Sequence, residues 1–434
     1  MAAIKSVLKR LKQVVHQAQK RIDLEAAQNP ELQRAIHIVE TFLKKSGRVC
    51  YGGQAINVQL PAKQQFYNLE TSLPDYDFFS PNDKEDTERL LHDLKAAGFT
   101  EISKRFGIHE GTTKLYVNYV PIADITQINP DFYDTIREKS VIINGIRYAD
   151  PIFLRMMMYL ELGRPRGMLA RWDKVYERLS LLDAAQPLHR CKGGDKFHVL
   201  ENEASGALRA SLVKFILKNN RVFMGADIHA LYQTSGPGRT ASSRMKFLLQ
   251  SHSPTVFMSP DAASDSNLLS EDYDLRAKEI LGYQNILPPM IALYKGDSLV
   301  CLIVQEEACH SYVTLPLTKG REMRMASLDT LLTFLIGLYY RDDSILMMGP
   351  SLLCWLRYYI DVSARYRARP SSIVPSFPMD CSGYQTTFPS LLRAKAVRIE
   401  AARQKVSKMT ASITRRRTVI NRQIKLNTRR RRYN

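Results

Sequence analysis

At 434 residues and 45 % hydrophobic content, the chain is long enough to bury two or three cores, which excludes a disordered polypeptide. Its formal charge of +19 is uneven: residues 391–434 hold 15 Lys/Arg against one acid, Glu400, so the tail carries +14 and the first 390 residues only +5. A polyanion is the natural partner of such a tail, and nucleic acid before membrane, because the tail has few large apolar residues to insert.

Residues 1–28 read as an amphipathic helix, with Ile4, Val7, Leu8, Leu11, Val14 and Val15 recurring at helical spacing. That stripe is expected to dock on the body and leave a solvated basic face. Asn29-Pro30 is a helix-start signal for a segment reaching about residue 45. Residues 48–51 then form a short buried strand. The turn Gly52-Gly53 feeds a helix near Gln54, and its free backbone N–H groups suit a phosphate.

Residues 73–80 give a second strand. Side chains two apart share a strand face, so Asp75 and Asp77 project together while Tyr76 and Phe78 point away. Two neighbouring carboxylates repel unless a cation sits between them, and a divalent ion is the usual answer. The tripeptide alone proves little. Asp272-Tyr273-Asp274 repeats it in a polar stretch that reads as the start of an exposed helix.

Residues 83–97 read as a helix ended by Gly98, and 114–128 as one or two strands. Asp124 lies there among Ile122, Ala123 and Ile125, a costly position unless the carboxylate is paired or ligates a metal. A strand-edge aspartate facing water is the alternative. Pro151 opens a helix whose 156–158 methionine run is core. In the next helix, from about residue 168, Arg171 and Lys174 share a face, as do Lys174 and Arg178. That face either is solvated or meets a triphosphate or a nucleic-acid backbone. The six scattered cysteines predict no disulfide framework and a reducing intracellular compartment. His189, Cys191 and His198 lack zinc spacing. The apolar 331–340 run is stopped by Arg341-Asp342-Asp343, too short for a bilayer. Residues 366–390 read as a Pro/Ser-rich surface linker.

An internal echo is visible. Residues 42–52 and 215–225 share Phe, Lys, Arg-Val and Gly at an offset of 173 residues. Further on, Phe78, Ser80 and Pro81 match Phe257, Ser259 and Pro260, whereas Asp75 and Asp77 fall on Pro254 and Val256. The inference is a duplicated unit whose second copy has lost its acids.

Gly52-Gly53, the Asp75/Asp77 strand and a later strand aspartate resemble the polymerase-β-type nucleotidyltransferase superfamily. The fuller set is Tyr-Gly-Gly-x-Ala-Ile-Asn, Asp-Tyr-Asp-Phe-Phe-Ser, Ile-Ala-Asp-Ile and Arg-Trp-x-Lys-Val. It resembles the poly(A) polymerase catalytic subunits of large cytoplasmic DNA viruses, mainly over residues 40–182. Many superfamily members have Gly-Ser where this chain has Gly52-Gly53, so any hydroxyl contact to the phosphates comes from elsewhere.

The resemblance implies an α+β chain. A catalytic domain (39–165) follows an N-terminal helical segment (1–38). A connector (166–205), a degenerate second nucleotidyltransferase-like domain (206–345), a helix and linker (346–390) and the basic tail (391–434) complete it. It implies that Asp75, Asp77 and Asp124 bind two Mg²⁺ or Mn²⁺ ions and that Gly52 and Gly53 admit the phosphates of ATP, with Lys174 or Arg171 neutralising pyrophosphate. The implied activity is adenylyl transfer to the 3′ end of mRNA in the host cytoplasm or virion, without a membrane. It leaves room for a homodimer or an accessory processivity subunit. Open alternatives are a terminal uridylyltransferase, an oligoadenylate synthase, a non-catalytic RNA-binding subunit and a DNA-binding structural protein.

Overall fold

The computed structural model describes residues 2–68, 70–188, 206–224, 253–283, 286–341, 349–370 and 373–408, with Ile228, Tyr232, Leu248 and Leu249. His189, Cys191, His198, Gly225, the 234–244 loop and the 409–434 part of the tail lie outside the described residues. Among those described, no helix is long and apolar enough to cross a membrane.

Helix α1 (Ala2–Ala27) corrects the first expectation. Ile4, Val7, Leu8, Leu11, Val14 and Val15 are all exposed, and only the last turn, at Ala27, is buried. The reason is the break at Asn29-Pro30, which directs α2 (Pro30–Ser46) into the core and leaves α1 attached by one end. The Asn29 side chain caps α2 by accepting from the Glu31 and Leu32 N–H groups.

The first sheet contains β1 (Val49–Tyr51), β2 (Tyr76–Ser80), β3 (Ile102–Phe106), β4 (Thr112–Val117), β5 (Val120–Gln127), β6 (Val141–Ile143) and β7 (Ile146–Tyr148). Their order is β3-β4-β5-β2-β1-β7-β6. Helices α3 (Gly52–Asn57), α4 (Asp83–Ala96), α5 (Pro130–Lys139) and α6 (Pro151–Leu162) connect and cover them. The alternation on β2 decides which helix meets which face. Phe78 packs on Phe42 of α2 at 5.8 Å, and the Tyr76 hydroxyl donates to Glu40 at 2.8 Å. On the other face, Phe79 meets Phe153 of α6 edge-on at 5.7 Å. Asp75 and Asp77 share this second face. Helix α7 (Trp172–Ala185) packs on α6.

After α8 (Gly206–Lys218), the second sheet contains β8 (Val222–Met224), β9 (Thr255–Ser259), β10 (Arg276–Ile280), β11 (Met290–Lys295), β12 (Ser298–Gln305), β13 (His310–Pro316), β14 (Glu322–Ala326) and β15 (Cys381–Ser382). Its order, β10-β11-β12-β9-β8-β14-β13-β15, repeats the first sheet strand for strand and adds β15 at the edge. Directions repeat too: β1/β2 and β8/β9 are antiparallel, while β2/β5 and β9/β12 are parallel. Helix α9 (Ala262–Tyr273) stands where α4 does, and α10 (Leu328–Arg341) where α6 does. No counterpart of α5 lies between β12 and β13.

The sequence echo now has a physical cause. Phe215 packs on Phe257 at 6.1 Å, as Phe42 does on Phe78. Arg221 pairs with Asp265 at 2.7 Å, as Arg48 does with Asp86 at 2.5 Å. The hydroxyls of Ser80 and Ser259 accept the Asn82 and Asp261 N–H groups. Both copies therefore keep one aromatic pair and one strand-to-helix ion pair. The halves join where the equivalent helices α6 and α10 pack, with the Tyr340 hydroxyl donating to Asp150, the N-cap of α6.

A buried charge left alone costs about 3–5 kcal/mol. Asp86→Ala and Asp265→Ala are each expected to lose about 3 kcal/mol, read as a lower urea midpoint. Loss in the first copy but not in the second would remove the equivalence of the two pairs.

Three further expectations change. Asp272 and Tyr273 end a helix rather than start one, and Asp274 adopts a left-handed cap conformation (φ +51°), exposed and paired with Lys295. The 366–390 stretch is no free linker. Helix α11 (Gly349–Ala368) runs into it, Phe377 packs on Trp172 at 5.9 Å and on Tyr176 at 5.4 Å, and β15 pairs with β13. That pairing brings Cys381 to Cys309, and the two form a disulfide across 72 residues; Cys354 is also disulfide-bonded. The sequence carries no spacing signal for such links, because sheet pairing creates the proximity.

Candidate active site

The site is a row of side chains across four strands of the first sheet. Tyr51 on β1 lies opposite Asp77 on β2, Asp77 opposite Asp124 on β5, and Asp124 opposite Lys114 on β4. Register neighbours share a face, so Asp77, Asp124 and Lys114 converge, and Asp75, one residue before β2, acts on Asp77 by its charge. The Tyr51 ring floors the row. It stacks on Phe79 at 4.0 Å, and its hydroxyl is 2.8 Å from Thr126 Oγ1.

Asp124 is buried, at 7 % exposure. Lys114 donates to its Oδ2, while its Oδ1 is buried without a hydrogen-bond partner. Desolvation, then the Asp75 and Asp124 charges, push Asp77 up to about 8, with Lys114 and Arg171 pulling the other way. Asp75 is raised by desolvation and by Asp124. Burial acts to lower Lys114, but its hydrogen bond to Asp124 and the charges of Asp124 and Asp75 prevail and hold it above its ordinary value. The sheet thus concentrates negative charge that a single ammonium only partly offsets.

Among the described residues, no three His, Cys, Asp or Glu side chains close on one point as a metal-binding group. The Lys114 ammonium sits on Asp124 instead. The donor chemistry nevertheless fits a hard divalent ion. The candidate ligands are all carboxylate oxygens, burial and neighbouring carboxylates raise Asp75 and Asp77, and one buried oxygen of Asp124 has no partner among the described residues.

The two glycines border the row. Helix α3 starts at Gly52 rather than near Gln54, and six residues give it little dipole. What distinguishes Gly52 is space: a Cβ there would lie 2.4 Å from Asp77 Oδ2, and its φ is +74°. A Cβ on Gly53 would meet Arg178 Nη1 at 2.8 Å and the Tyr67 hydroxyl at 3.0 Å.

Of the two cations expected near the phosphates, Arg171 precedes α7, pairs with Glu161 at 3.2 Å and acts on Asp77 by its charge. Lys174 is exposed on α7. Arg171 also belongs to a basic rim. His109 is held below its ordinary value by desolvation and then by the charges of Arg171, Arg164 and Arg398. Arg398, on a helix over residues 388–408, donates to the carbonyls of Gly107 and Ile108.

Sequence reasoning missed Lys114, Tyr67 and, as a site residue, Arg178. Lys114 was reachable in principle: Asn118 and Tyr119 form a left-handed turn (φ +50° and +64°) that folds β4 back on β5. Tyr67 lies in an irregular loop and carries no such signal.

Residues 37–168 match the family model described as poly(A) polymerase catalytic subunit. A protein of African swine fever virus (isolate Tick/Malawi/Lil 20-1/1983), described by that same name, is 28 % identical over 164 residues, covering 36 % of this chain and 34 % of the relative. One of Acanthamoeba polyphaga mimivirus is 28 % identical over 162 residues, covering 36 % and 27 %. The chain thus spans about a third of the length of these viral relatives. The crystal structure of the Megavirus polyadenylate synthase superposes with a TM-score of 0.74 at 17 % identity, over 93 % of this chain and 83 % of that one. Residues 37–168 are thus similar to the poly(A) polymerase catalytic subunit family, and the chain shares its fold with a viral polyadenylate synthase.

Proposed function

We propose that the chain is a template-independent polynucleotide adenylyltransferase that adds AMP from ATP to RNA 3′ ends. The observation that carries this reading is the Asp75/Asp77/Asp124 face set against Gly52. The family match at residues 37–168 supports it. In the reaction the RNA 3′ oxygen joins the α-phosphorus, the bridge to the β-phosphate breaks, and pyrophosphate and a proton leave. Asp75, Asp77 and Asp124 would hold Mg²⁺ or Mn²⁺, in competition with the Lys114 contact on Asp124. Bound divalent ions supply Lewis-acid activation of the hydroxyl and charge neutralisation. Gly52 leaves the triphosphate room beside Asp77, and Arg171 lends a positive field without touching the carboxylates.

RNA reaches the site along the basic rim and the 388–408 helix, whose Arg393, Lys395, Arg403, Lys405 and Lys408 neutralise phosphates non-specifically. The viral relatives favour action in a host cytoplasm or virion. The Cys309–Cys381 link suits the virion, outside the reducing cytosol.

One assay tests the activity. Labelled RNA primer is supplied with each NTP in turn and Mg²⁺ or Mn²⁺. Extension with ATP at least about tenfold faster than with the others is expected, because a base-reading pocket penalises an analogue that leaves its polar groups unpaired. Preference for UTP would move the chain to the uridylyltransferases. Salt-dependent RNA binding without incorporation would leave a non-catalytic subunit.

A further inference from the structure

The space beside Gly53 is already filled, and by polar groups. A side chain there would collide with Arg178 Nη1 at 2.8 Å, with the Tyr67 hydroxyl at 3.0 Å and with the Tyr67 ring at 3.1 Å. The first glycine of the turn abuts the carboxylate of Asp77, and the second abuts a hydroxyl and a guanidinium. Consecutive backbone positions thus face opposite chemistries, one for cations and one for anions.

The hydroxyl and the guanidinium are held in place. The Asn57 side chain accepts from the Phe66 and Tyr67 N–H groups at 2.8 and 2.9 Å and donates to the Tyr67 carbonyl at 3.0 Å. Arg178 lies 4.4 Å over the Phe66 ring and donates to the Tyr67 hydroxyl at 2.6 Å. Arg178 has no ion pair among the described residues. Arg178 acts on Glu161 by its charge, less strongly than Arg171, which pairs with it at 3.2 Å. A fixed guanidinium without a carboxylate is suited to phosphate oxygens, which accept its planar fork.

We propose that Tyr67 and Arg178 form the binding site for the terminal phosphates of the incoming nucleotide, so that the hydroxyl which Gly53 cannot provide comes from Tyr67. The phosphate chain then runs from the carboxylates at Gly52, where its α-phosphorus reacts, to the cationic pocket at Gly53. The assignment rests on the nucleotidyltransferase reading for the identity of the phosphate chain, though not for its existence. Asn57 is a positioning residue, since it acts by holding the 66–67 loop.

Calorimetric binding of inorganic tripolyphosphate tests this without requiring turnover. Tyr67→Phe is expected to weaken binding about tenfold, the loss of one hydrogen bond to a charged group, and to raise the KM for ATP equally. The KM for RNA and the melting temperature stay unchanged. Gly53→Ser alone is expected to fail to bind, because its side chain meets Arg178 and Tyr67. Gly53→Ser combined with Tyr67→Ala removes the Tyr67 contacts, lets the end of the Arg178 side chain, no longer bonded to Tyr67, shift aside, returns a hydroxyl to the space and is expected to bind at least about tenfold better than Tyr67→Ala. Equal affinity of wild type and Tyr67→Phe would overturn the assignment, as would parallel loss of RNA affinity and thermal stability, the mark of a purely structural role. Tripolyphosphate binding that depends on Tyr67 in a protein that extends no primer would overturn the polymerase reading and leave this site standing.

Discussion

Asp77→Asn is expected to abolish AMP incorporation and to make the metal-free protein more stable. The activity loss exceeds the roughly 100-fold that changes one shell further out cost at metal sites, because Asp77 lies between Asp75 and Asp124 and touches the space beside Gly52. The stability gain follows from linkage. Burial and two neighbouring carboxylates push Asp77 up to about 8, while in the unfolded chain it titrates at about 4. Between those values the folded state holds a proton that the unfolded state has released, so stability falls as pH rises through the window and the full cost is present above it. Asparagine resembles the protonated form and escapes that cost. The variant's advantage in melting temperature is therefore large at pH 8 and absent at pH 4. Mn²⁺ at pH 8 raises the melting temperature of wild type and leaves that of Asp77→Asn unchanged. Wild-type primer extension by Asp77→Asn would remove Asp77 from the site.

What the sequence revealed was local. The i, i+2 placement of Asp75 and Asp77 and the apolar setting of Asp124 are properties of short segments; β2 and β5 hold Asp77 opposite Asp124, while the expected 73–80 strand begins only at Tyr76 and leaves Asp75 just before it. The helix starts at Asn29-Pro30 and at Pro151 were equally readable. What stayed hidden depends on chain returns. Lys114 acquires its role from a two-residue turn, Tyr67 from Asn57 ten residues earlier, and Arg178 from packing across 111 residues. Lys174 was read onto the phosphates by helical spacing alone. Arg178, one turn on, reaches Gly53, while Lys174 is exposed on the same helix.

The second copy shows what the carboxylates cost. In β9 and β12 the positions of Asp77 and Asp124 are Val256 and Leu302, paired in the same register and fully buried. Three mutually repelling acids have become ordinary core, while the Arg221–Asp265 pair and the Phe215–Phe257 contact persist. Features kept in both copies serve the fold, and those confined to the first serve chemistry. By that criterion Arg48 and Asp86 are structural, and Lys114, Asp77 and Asp124 are the positions to test for chemistry. A self-repelling cluster persists where function repays its destabilisation.

Gly52→Ala separates backbone strain from collision at the site. At φ +74° a Cβ costs about 1–2 kcal/mol in any L residue. At Gly52 it would also lie 2.4 Å from Asp77 Oδ2 and 3.1 Å from its carboxyl carbon, so the carboxylate must swing away from Asp124. Gly98, at φ +89° with nothing within 4 Å, meets the strain alone. Gly98→Ala is therefore expected to lose about 1–2 kcal/mol of stability and keep full primer extension. Gly52→Ala is expected to lose at least as much stability and, in addition, more than about 100-fold in activity, since a displaced ligand is equivalent to an absent one. Urea unfolding and primer extension on both variants give the comparison. If Gly52→Ala extends RNA within twofold of wild type, the carboxylate beside it is not the one the chemistry uses. If Gly98→Ala loses activity in step, the loss at Gly52 is strain and says nothing about Asp77.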